Sequence, residues 1–478
     1  MLGTAILAGG GRFLAHGFGE RYDSPIPLTL FMLGGAVVVV ASFLMVYRRD
    51  AVTEQVTVAV DDVRQGPGRL AAGVVSTLSL TGVVFAGLVG TQEVSENILP
   101  TVFWLCVWVV VPLLVGVVGD FTRPVNPFAV ICRAADRPAL RRVLIGTREP
   151  LAWPARLGYW VAVAGFVVVV AGELIVNTQA TLPQVTAVGL TVYSLICVMG
   201  GLVFGASAWC ARGELFSVLF ATWGRLGYWR FGSAGRRGFA GGLDVGFEAS
   251  ASRVVFVLLL LGSVTFDGLL STPQWTSFTT GLPWTVAPGT AANTMVATLA
   301  LAVVVGLMLT VFGLFAKAVS RSGRHGDGHL VALTGLMPSL LPIAYGYLLA
   351  HYLQYVAVNG QRLLPLLGDP LGTGHSPLPY PFNDEYVVNV TVLSTSVIWY
   401  FQMAVIVLAH VIAVVLAHRL LAARSSEPAL ARRAEWPWLV AMVGYTMVSL
   451  WLLAQPLIER GDQGGEQSES AMSQRIQG

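Results

Sequence analysis

The amino-acid sequence predicts an all-α integral membrane protein of about ten transmembrane helices, with both termini outside. Three observations carry this expectation. Long apolar runs recur at residues 28–47, 70–90, 101–119, 157–177, 185–208, 253–272, 294–316, 331–356, 394–418 and 436–457, each close to the roughly 20 residues that cross a bilayer core. The chain of 478 residues is 55% hydrophobic and only 12% charged, whereas a soluble domain carries about 25% charged residues. Its basic residues also alternate from loop to loop. The loops after the first, third, fifth, seventh and ninth runs hold four, seven, six, three and four Arg or Lys, and the opposite side, termini included, holds five. Arg-rich loops stay cytoplasmic, which places the protein in the cell membrane with lipids as its immediate partners.

Residues 1–27 form an outer N-terminal segment. Its short apolar stretch, Ala5 to Ala8, and the Phe13-Leu14-Ala15 that precedes His16 resemble the tail of a signal peptide. Cleavage after Ala15 would leave His16 with a free amine beside its imidazole, a competent copper chelate. Residues 28–457 form one membrane domain with two larger cytoplasmic segments. In residues 119–156, prolines 124, 127, 138, 150 and 154 stand among arginines, so short helical turns in an irregular cap are expected. In residues 211–252, the apolar stretch Leu215 to Phe220 with Trp223, Tyr228 and Trp229 beside Arg225 and Arg230 reads as a helix lying along the inner headgroups. The glycine-rich sequel lacks GxxxxGK[ST] and is assigned as linker. Residues 458–478 are polar and are expected to be a disordered outer tail.

The net charge of +3 comes from cytoplasmic loop arginines such as Arg141, Arg142, Arg236 and Arg237 and calls for no nucleic-acid partner. None of the four cysteines, Cys106, Cys132, Cys197 and Cys210, forms a CxxC pair or lies in an outer loop, which argues against a disulfide framework or a thiolate metal site.

Function is sought in the polar residues inside the spans, because an ionisable group in hydrocarbon is costly and usually faces a cavity or a partner. Glu173, Asp267, His351 with Gln354, and Tyr400 with Gln402 all fall in the outer third of the bilayer when depth is counted at about 1.5 Å per residue. Tyr347, His351, Gln354 and Tyr355 are three and four residues apart and share one stripe of the eighth span; Trp399, Gln402, Ile406 and His410 share another on the ninth. Two readings stay open. Glu173 and His351 serve as interhelical hydrogen-bonding groups, or Glu173, Asp267 and His351 converge as ligands of a divalent metal ion or as proton carriers. A His351–His410 metal site is excluded, since their depths differ by about 14 Å. His410 and His418 belong to a proton path or cap the inner end. The outer loop 357–393, with Asp384 and Glu385, has the composition of a lid.

Several local sequences form a recognisable set: His16-Gly17-Phe18-Gly19-Glu20-Arg21-Tyr22-Asp23, Val125-Asn126-Pro127-Phe128, Thr265-Phe266-Asp267-Gly268-Leu269, His351-Tyr352-Leu353-Gln354-Tyr355 and Pro365-Leu366-Leu367-Gly368-Asp369-Pro370. From His16 to about residue 420 the chain resembles a family of bacterial and archaeal multi-pass membrane proteins labelled fenitrothion hydrolase-like. The resemblance implies hydrolysis of an organophosphate ester, and a signal peptide ahead of the His-Gly start. As an enzyme the protein would hold a cation on Asp267, Glu173 and His351 to activate water, there being no GxSxG signal. As an ion-coupled or small-solute carrier it would bind its ligand in the same layer.

Overall fold

The computed structural model describes residues 28–47, 66–282, 289–383, 385–425 and 427–476. His16, the signal-like segment and Asp384 lie outside them. Among the described residues every regular element is helical. Ten principal helices follow the apolar runs: α1 Leu28–Tyr47, α2 Pro67–Val89, α3 Ile98–Val118, α4 Trp160–Leu174, α5 Pro183–Phe204, α6 Ala251–Leu270, α7 Ala291–Ser322, α8 His329–Asn359, α9 Thr395–Arg424 and α10 Pro428–Ile476. By length and composition seven of them, α2, α3 and α5 to α9, are able to cross a membrane, and shorter apolar helices lie within α1 and at α4. The protein is therefore a polytopic membrane protein.

The helix starts follow local chemistry. Proline opens α2 and α5, where its missing N–H is no loss. Asn97 caps α3 by accepting from the Leu99 N–H and ties it to α2 by donating to the Ala86 carbonyl at 2.9 Å. Ser250 caps α6 through the Arg253 N–H, and Thr290 caps α7 through the Asn293 N–H. Within α3, residues Thr101–Val110 take the wider π-helical turn, with Pro112 immediately beyond. Such a turn often marks a functional position, and here it carries Trp104 and Trp108, both buried.

Exposed and enclosed helices divide the bundle. On α7, Leu299, Val303, Leu307 and Leu314 face outward at 59–67% exposure, a surface that water would not tolerate but lipid does. By contrast α8 has 83% of its most apolar stretch buried. It packs along α9 at Gly346, where a Cβ would stand 2.5 Å from that of Ala409, so glycine permits the close approach. Tyr445 of α10 shares a 2.7 Å hydrogen bond with Thr265 of α6, and the hydroxyl of Tyr347 donates to the Ser449 carbonyl.

Two expectations change. The helix Leu215–Trp223 does not lie along the headgroups. Leu215, Phe216, Val218, Leu219, Phe220 and Trp223 are all 1–3% exposed, because Phe216 stacks on Phe128 with centroids 5.1 Å apart and Trp223 packs 5.7 Å from Tyr345 of α8. Phe216, Phe220 and Trp223 share one face, and the rest of the helix is buried or half-buried, so no face is left for water. The backbone of residues 458–476, expected to be disordered, continues α10 to Ile476, and no proline follows Pro456 to stop it.

The segment after α8 folds back onto the bundle. The Thr91 N–H donates to the Leu371 carbonyl at 2.9 Å and the Ile98 N–H to Pro370 at 3.3 Å, joining this segment to the α2–α3 turn. Asp369 receives the N–H groups of Gly374 and His375 and the Thr373 hydroxyl. Partial burial alone would raise its carboxyl pKa, but these donors outweigh it and hold the group below the usual carboxylate value.

Candidate functional site

Asp267 lies one turn before the end of α6, Glu173 at the last turn of α4, and His351 two turns before the end of α8. The bundle brings these three helices together. His351 Nε2 stands 2.5 Å from the Asp267 carboxylate, and both side chains are under 10% exposed. Glu173 is held separately: Trp108 Nε1 of α3 donates to its Oε2 at 2.7 Å, and the Tyr352 hydroxyl donates to Oε1. Glu173, Asp267 and Tyr352 line one pocket with Trp108, Ser263 and Trp223.

That pocket has a volume of about 30 Å³. A water molecule needs roughly 10–15 Å³ measured this way, whereas a pocket for an organic ligand runs to about 300–1,000 Å³. In this conformation the site has room for water or a small ion. Among the described residues no three His, Cys, Asp or Glu side chains are disposed to hold one metal ion. The expected ligand set is divided into two units, because the indole and phenol donors engage both oxygens of Glu173 while His351 engages Asp267. His351 and Tyr352 face different helices, so one turn of α8 serves both carboxylates.

The remaining sequence candidates divide. Tyr355 packs edge-on to Tyr352 at 6.0 Å. Gln354 is half-buried and its carbonyl oxygen has no hydrogen-bond partner. Gln402 is 1% exposed and its Nε2 donates to the Ala350 carbonyl at 3.0 Å, which puts it level with His351. Tyr400 is 51% exposed on the outside of α9 and does not join the site. His410 is buried away from the carboxylates, with Nδ1 donating to Ile406 O at 2.8 Å.

Sequence reasoning missed Trp108, Tyr352, Glu214 and Glu435. Tyr352 adjoins His351 in sequence and so falls off the three-and-four-residue stripe; only a helix enclosed on several sides uses both positions. Glu214, fully buried, accepts from Asn126, Tyr193 and the N–H groups of Phe216 and Ser217, and so caps the helix Leu215–Trp223. Glu435 is 3% exposed and lies 2.9 Å from His418 Nδ1. The apolar run at 436–457 begins just after it, which hides it among loop charges. Comparison with protein-family models, curated proteins and solved structures found no match to this chain.

Proposed function

We propose that this protein is a cell-membrane carrier that couples movement of an ion or small solute to protonation of Asp267, His351 and Glu173. The observation that supports it is a pocket of about 30 Å³ in an apolar bundle, lined by the two carboxylates Glu173 and Asp267, with the His351 imidazole on Asp267. Intramembrane ionisable groups of this kind characterise ion and proton pathways. The carrier reading takes ten spans with both termini outside, treating α1, α4 and α10 as the three further crossings. A cysteine probe at Arg324 should then resist outside reagents and one at Thr373 should react; the opposite result reverses the orientation.

The decisive measurement uses purified protein in liposomes containing a pH-sensitive dye, with a membrane potential imposed. Wild type should pass protons and Asp267→Asn should not, since Asn cannot take up and release a proton. Equal leakage in both would remove the reading.

A second reading is metal-assisted hydrolysis of an organophosphate-type ester. It is supported by the family resemblance and by a donor set of one imidazole and two carboxylates, which suits a divalent ion. It requires Glu173 to leave Trp108 and Tyr352. Chelator-sensitive turnover of an aryl phosphotriester in detergent, with no gradient, would favour it over the carrier.

A further inference from the structure

A second carboxylate–imidazole pair lies at the other end of the bundle. His418 of α9 meets Glu435 of α10 at 2.9 Å, with side chains 9% and 2% exposed. Between this pair and Asp267–His351 lie two buried polar atoms without a hydrogen-bond partner, Gln402 Oε1 and His410 Nε2. Their chemistry is set by their other ends. Gln402 Nε2 donates to the Ala350 carbonyl and His410 Nδ1 to that of Ile406; a carbonyl only accepts, so the ring proton sits on Nδ1 and both orphaned atoms are acceptors. A buried acceptor left alone costs about 1–3 kcal/mol, and water is the group that ordinarily satisfies it.

Gln402, His410 and His418 are each eight residues apart, a rise of about 12 Å and a turn of about 80° per step. Gln402 therefore faces α8, His418 faces α10, and His410 lies between. We propose that α9 carries a water-mediated proton path from the Asp267–His351 pair, past Gln402 and His410, to the His418–Glu435 pair and the cytoplasmic side. This rests on the carrier reading and adds its inner half. A proton leaving the outer pair passes to water, is accepted at His410 Nε2, and returns from the same nitrogen to water on the inner side, so His410 is unchanged after each transfer. It then reaches the Glu435 carboxylate or its His418 partner. The charged groups around the two pairs are Glu173 beside the outer one, and, toward the inner end of α9, Arg419 with Asp244 at 3.2 Å and Arg424 with Asp327 at 2.6 Å, beside His325 on Ser425. Asp244 and Asp327 are thus each engaged by an arginine, and Glu435 by the His418 imidazole.

The test uses the full chain in liposomes, reading proton flux under an imposed potential for wild type, Asp267→Asn, His410→Leu and Glu435→Gln. Both inner variants should lower flux about tenfold or more, the effect of about 1.4 kcal/mol on the barrier. Infrared titration in parallel should still show the carboxyl band that Asp267→Asn removes, as a folded outer site requires. Should Glu435→Gln lose that band, His418→Gln tests the same contact. Flux that survives at wild-type level in His410→Leu or in the inner-pair variant, while Asp267→Asn abolishes it, overturns the path and leaves the carrier reading standing. A wild type that passes no protons overturns both.

Discussion

The Asp267–His351 and His418–Glu435 pairs, outer and inner in the carrier reading, place a carboxylate against an imidazole in different surroundings. Asp267–His351 joins α6 to α8 and shares its layer with Glu173, Tyr352 and a pocket wall. His418–Glu435 joins α9 to α10 and adjoins the Arg419–Asp244 and Arg424–Asp327 salt bridges. The outer carboxylates therefore lie together with no Arg or Lys between the pocket's lining residues, whereas the inner one stands among balanced charges.

The sharpest way to break the comparison is a double-mutant cycle on each pair. Removing one member of a buried ion pair costs about 3–5 kcal/mol, so Asp267→Ala and Glu435→Ala should each lower the unfolding free energy in detergent by about that amount. Replacing both partners with apolar residues, as in Asp267→Leu with His351→Leu, should restore most of it. If the outer pair shows no such recovery while the inner pair does, the two differ in structural role as well as in function. The same measurement on both pairs makes that difference visible.

A smaller effect is expected from Glu173→Gln. The amide retains one acceptor for either Trp108 or Tyr352 and leaves the other donor poorly satisfied, for a loss of about 1–3 kcal/mol. Tryptophan fluorescence of Trp108, read against a Trp108→Phe background, should shift if the indole loses its partner. An unchanged spectrum would mean that Glu173 does not hold Trp108 as described.

The smallest effect concerns the half-buried carboxylate of Asp369, a control in the segment after α8. Its folded pKa is depressed, so the stability it contributes is present above the ordinary carboxylate value of 3.8 and is lost as pH falls through and below that value. Asp369→Asn should therefore lower the melting temperature slightly at neutral pH, and the difference should shrink as pH falls below 3.8 toward the lower folded value. Thermal melts across that range check it, and a difference that grows toward acid would reverse the sign.

Much of the helical bundle was legible in the sequence, because about twenty apolar residues in a row leave few other outcomes. Glu173, Asp267 and His351 were legible for a related reason: a charge within an apolar run stands out. Glu435 did not, since it lies at a run boundary beside Arg432 and Arg433, and a hydropathy pattern cannot tell a buried boundary charge from a solvated one. The helix Leu215–Trp223 was recognisable as apolar and aromatic, but its depth depended on whether Phe128 and Tyr345 stood ready to cover it.

By itself, then, the sequence determined that long helices would form and which polar side chains they would carry into the apolar layer, because both follow from residue type and chain length. Pairing was decided by tertiary structure alone. Asp267 meets His351 across 84 residues of chain and Glu173 meets Tyr352 across 179, and such contacts depend on the rotation and approach of whole helices. The same rotation turned Tyr400 to the outside and left His410 buried between the two pairs.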